Sequence, residues 1–169
     1  MNEPLRSAFS EPEPPRRSRR LAPVTVMLGS LATLLPVIST VPWMPPFGLM
    51  LLLGWRLLRP DVLRVWAGAP LGLFDDLVSG QPIGSAMLLW GLSLIVLDML
   101  DLRLVWRDFW QDWLLASGTI AFCLIGGRLI ASPLGSNVDT AVGLQILSSA
   151  ALYPLVARLC FALDVKGKP

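Results

Sequence analysis

Between residues 22 and 162 the chain passes through one apolar stretch after another, each near the length of a bilayer crossing and separated by short turns. In lipid a backbone can satisfy its own hydrogen bonds only as helices or as a closed barrel, and long apolar runs without alternation are helical. Charged residues make up 15% of the chain and hydrophobic residues 54%, whereas soluble domains carry roughly a quarter charged residues. The sequence therefore predicts an all-α membrane protein, a compact six-transmembrane-helix bundle. At 169 residues it has no room for a soluble domain beside the bundle.

The expected spans lie near 22–40, 44–59, 62–79, 83–101, 112–131 and 140–162, with Pro36, Pro70 and Pro154 inside them. Neighbouring helices in a bundle can tolerate such prolines. Residues 1–20, with the run "EPEPPRRSRR", read as a disordered basic cytoplasmic tail. The six-helix transmembrane domain is expected over 21–163, and a short cytoplasmic tail over 164–169. A signal peptide is the competing reading of the N-terminus, but the first apolar run is long for one and lacks a small-x-small exit.

Orientation follows from the basic residues, which favour the cytoplasmic side. With six spans and a cytoplasmic N-terminus, all fourteen basic residues except Arg128 fall inside. Tryptophans agree: Trp43, Trp55 and Trp66 flank turns. In "VWRDFWQDW", Trp106, Trp110 and Trp113 share one helical face. That pattern suits a short interfacial helix feeding the fifth span, with a docking surface as the alternative.

The residues that could carry chemistry are few. The chain has no histidine, so the commonest general base and metal ligand are missing. Cys123 and Cys160 each sit in an apolar run, with the spacing of neither a disulfide framework nor a metal pair. Ser79 and Ser85 have no histidine to activate them, and Lys166 and Lys168 lie in the tail. No metal or cofactor site and no enzyme are expected.

Two adjacent aspartates, Asp75 and Asp76, lie about a turn before Gly80 near the outer end of the third span. Arg128 sits at a matching depth in the fifth. An ion pair between Asp76 and Arg128 would satisfy both charges, with Asp75, about 100° round the helix, facing the outer water or head groups; a proton or cation site is the alternative. Asp98, Asp101, Asp108 and Asp112 gather with Arg103 and Arg107 at the inner side, as a solvated surface would. Gly68-xxx-Gly72, Gly126-Gly127 and "SSAAL" in the sixth span are small-residue faces on which helix backbones can approach closely.

Residues 59–84, "RPDVLRVWAGAPLGLFDDLVSGQPIG", resemble the signature stretch of the bacterial rod shape-determining MreD family. Arg59, Pro60 and Asp61 match its inner turn. Gly72, Asp76, Ser79, Gly80, Pro82 and Gly84 match the rest, with Ile83 where leucine is usual. Asp75 departs from the pattern, since the family more often has an apolar residue there.

The resemblance implies a non-enzymatic inner-membrane component of the cell-wall elongation complex. It would bind MreC and, through it, MreB filaments and the RodA–transpeptidase synthase. It also implies a fold similar to the small six-helix S components of vitamin transporters, and so a rival function as a substrate-binding S component. Membrane lipids are the remaining partners, since the basic tail could attract anionic head groups; nucleic acid is not one.

Overall fold

The computed structural model describes residues 16–34, 44–101, 108–131 and 139–165. Expectations for Trp43, Trp106, Arg103, Arg107, Pro36 and both chain ends beyond these ranges fall outside the described residues. Six α-helices appear within them: α1 (Arg16–Leu31, followed by a 3-10 turn), α2 (Phe47–Leu58), α3 (Gly68–Ser79), α4 (Ser85–Asp101), α5 (Phe109–Ala131) and α6 (Asp139–Val165). Arg16 to Arg20, expected in the tail, form the first turns of α1. The helix expected around the tryptophan cluster is continuous with α5 from Phe109 onward, and Trp110 meets Trp113 edge-to-face at 5.7 Å.

Contacts give the order of the bundle. Helices α1, α3, α4, α5 and α6 follow one another around a ring that α2 closes between α6 and α1, with α2 also reaching α5. Helices that follow one another in the chain and pack together run antiparallel, whereas α2 runs parallel to α6 and α1 parallel to α3. On α1 and α2, Trp55 Nε1 donates to Thr25 Oγ1 at 2.8 Å, while Gly29 faces Leu51. On α4 and α5, Ser93 Oγ lies 3.3 Å from Cys123 Sγ. Trp113 at the start of α5 donates to the Ala150 carbonyl of α6 at 2.9 Å. The two ends of the bundle consequently differ. One holds the α3–α4 turn, while the other gathers Arg56, Arg59, Asp98, Asp101 and Asp164.

The surface is apolar where a soluble protein would be polar. Leu28, Leu88, Met99, Leu114, Leu129, Leu147 and Leu155 are all more than half exposed. Such faces on α1, α4, α5 and α6 suit a hydrocarbon solvent. Helices α5 and α6 are each long and apolar enough to cross a membrane. By contrast α2 is buried on nearly every side, from Gly48 through Leu57. Its 12 residues reach only about 18 Å at 1.5 Å per residue. Its neighbours cover it, so it does not need to match the bilayer thickness by itself.

Candidate functional site

The stretch from Gly72 to Met87 folds into a clasp between α3 and α4. Gly80, in the left-handed region at φ 68°, ends α3. Pro82 then accepts the Ser85 amide at 3.1 Å, and Gly84, at φ 97°, turns the chain into α4. A helix begins with four amides that have no partner within it. In α4, Asp76 takes three of them: Gly84 N at 2.9 Å, Ala86 N at 2.9 Å and Met87 N at 3.3 Å. The fourth, on Ser85, is the one held by Pro82. The Ser85 hydroxyl adds a further donor to Asp76 Oδ1 at 2.9 Å.

Asp76 thus caps a helix that begins nine residues after it, and it is 1% exposed. An ionised carboxylate only accepts hydrogen bonds, and every partner here is a donor. The positive end of the α4 dipole adds to the same attraction. Gly72 makes this reach possible. It lies one turn before Asp76 on the same face of α3, and a Cβ on it would stand 2.5 Å from the Ala86 carbonyl oxygen and 2.7 Å from Met87 N. Gly68, one turn earlier, would meet the Trp90 carbonyl oxygen at 2.9 Å. The small-residue face expected on α3 is therefore the line along which it packs on α4.

The ion pair expected between Asp76 and Arg128 gives way to another arrangement. Both Asp76 oxygens are engaged by α4, while Arg128 lines a cavity together with Asp75. Asp76 faces inward, as its position on the helix predicts. Asp75, expected to face the outer water, is half-buried against Ser30 of α1 and the cavity.

At the opposite end a second polar cluster ties three helices together. Arg56, 2% exposed at its side chain, contacts Asp98 at 2.7 Å and Asp101 at 3.1 Å, so α2 is tied to α4. Arg59 reaches Asp164 of α6 at 2.9 Å, and that aspartate is 5% exposed at its side chain. Pro60 and Asp61 are exposed in the turn that follows, where Val62 N donates to the Arg59 carbonyl at 3.2 Å. The aspartates expected on a solvated surface are in part structural, because Asp101 is 17% exposed at its side chain and Asp98 51%. Sequence reasoning passed over Arg56, Asp98, Asp164 and Ser85 as contacts. The available signals were an arginine inside an apolar run and a serine at the start of one.

Among the described residues no cluster of His, Cys, Asp or Glu has the geometry to hold a metal ion. Comparison with curated proteins and with solved structures gives no match. The family model of the rod shape-determining protein MreD matches residues 21–163. That covers most of the chain, and the protein therefore belongs to the MreD family, membrane proteins that act in rod-shape determination.

Proposed function

We propose that this protein is a non-enzymatic scaffold of the cell-wall elongation complex, spanning the inner membrane six times with both termini cytoplasmic. Its partner would be MreC, and through it MreB and the RodA–transpeptidase synthase. The family match carries the reading. The alternating helix directions support it, as does the gathering of Arg19, Arg20, Arg56, Arg59, Arg64 and Arg158 towards one end of the bundle, the pattern of a cytoplasmic face.

A scaffold needs a shape that holds without a ligand. The Asp76 clasp and the Arg56 cluster lock α3 to α4 and α2 to α4 at opposite ends, and Arg59 adds α6. In this role Arg59, Pro60 and Asp61 form the cytoplasmic corner. Gly72, Asp76, Gly80, Pro82 and Gly84 hold the opposite corner, leaving Ile83, 77% exposed, available to a partner. Depletion of the protein tests the reading. Cells lacking it should round up and lose the association of MreC with the synthase, with both restored by the wild-type chain. Persistence of that association without the protein would contradict a scaffold role.

The transporter S component remains the second reading, favoured by the cavity that Asp75 and Arg128 share. It would require an ATPase and a coupling subunit as partners.

A further inference from the structure

The cavity at the α3–α4 end has a volume of about 300 Å³. Asp75, Gln81, Arg128 and Gln145 bring polar groups to it, and Leu89 and Trp90 form apolar wall. Gln145 is fixed there by donating from Nε2 to the Met44 carbonyl at 2.8 Å. Beside Asp75 lies the Ser30 hydroxyl, 1% exposed and without a well-formed hydrogen bond among the described residues.

A second feature adjoins this cavity. A groove of about 400 Å³ runs between α5 and α6, walled by Ile125, Leu129, Val142 and Ile146. Arg128 and Val142 line both spaces, so the polar cavity and the apolar groove meet at these two residues. The groove opens on the lipid-facing surface, where Ile125 is 49% and Leu129 62% exposed.

A polar chamber carrying one acid and one base, joined at the base to an apolar channel open to hydrocarbon, matches an amphiphile with a zwitterionic head. We propose that this protein binds a phosphatidylethanolamine molecule, with its phosphate at Arg128, its ammonium at Asp75 and one acyl chain along the α5–α6 groove. Guanidinium suits phosphate oxygens because several of its N–H groups point the same way. The carboxylate of Asp75 accepts from the ammonium. The site is independent of the protein partner proposed above.

The test uses the full chain, delipidated in mild detergent and titrated with short-chain phosphatidylethanolamine, phosphatidylcholine or phosphatidylglycerol. Thermal unfolding is the readout. Phosphatidylethanolamine should raise the midpoint most. Arg128→Gln and Asp75→Asn should each weaken its effect roughly tenfold or more, as expected for losing a charged hydrogen bond. Ile125→Trp, on the exposed groove wall, should weaken the lipid while leaving binding of free phosphoethanolamine, the soluble head group, unchanged. That arm separates a lipid site from a site for a free phosphate compound. Equal effects of all three lipids, or full lipid response in both charge variants, would overturn the proposal. So would a photo-crosslink from position 125 in native membranes that captures a protein segment rather than lipid.

Discussion

Asp76 and Ala86 are joined at 2.9 Å, carboxylate to amide, and the carbonyl of the same Ala86 closes on the bare backbone of Gly72. One residue of α4 is therefore held on two sides by residues four apart on α3. Neither contact would form alone. Without Gly72 the helices stand too far apart for the carboxylate to reach, and without Asp76 the approach leaves three amides with no partner. Thermal unfolding of the full chain in mild detergent, together with its accumulation in membranes, measures what this clasp and the Arg56 cluster contribute.

Asp76→Asn keeps the shape of the side chain but turns an amide donor toward amide donors. The expected cost is about 2–3 kcal/mol, the range for losing hydrogen bonds to a charged group. Unchanged stability in this variant would mean that the clasp contributes little.

Gly72→Ala should cost about 1–3 kcal/mol, because its new methyl meets the backbone of α4, which cannot swing aside as a side chain can. Gly118→Ala provides the control. A Cβ there meets nothing within 4 Å, so the change should be neutral or stabilising by up to about 1 kcal/mol. Gly84→Ala tests conformation apart from space, since its Cβ is also unobstructed while φ is 97°. It should cost on the order of 1–2 kcal/mol.

Arg56→Met should be the most damaging of these single changes. It fills the volume with an apolar side chain but leaves Asp101 largely buried without the guanidinium. Breaking a buried pair from one side costs about 3–5 kcal/mol. Adding Asp101→Asn should recover part of the loss. A double variant no better than the single would place the damage in packing instead of charge.

Much of this arrangement was legible in the sequence, and the reason differs by residue. The helices follow from apolar runs bounded by Pro, Gly and charge. Observed boundaries depart from expectation mainly at α1, which starts earlier at Arg16, and at α3, which starts later at Gly68 after a 3-10 turn. The inward face of Asp76 and the packing face of Gly68 and Gly72 follow from helical period alone. The partner of Asp76 does not. It depends on how the Gly84 turn aims the start of α4, and a depth-matching argument could see only side-chain charges such as Arg128, not the positive end of a helix. The pairing of Arg56 with Asp98 spans 42 residues and depends on which helices become neighbours. Nor does the sequence of α2, apolar apart from Arg56, show that its neighbours enclose it.

The most direct test of the scaffold account is recovery of partners with the tagged protein from native membranes in mild detergent, read by mass spectrometry, with Asp76→Asn compared at equal abundance. The account predicts MreC and the wall-synthesis proteins with the wild-type chain, and less of them with the variant. Recovery of an ATPase and a coupling subunit in their place, with MreC absent, would contradict it.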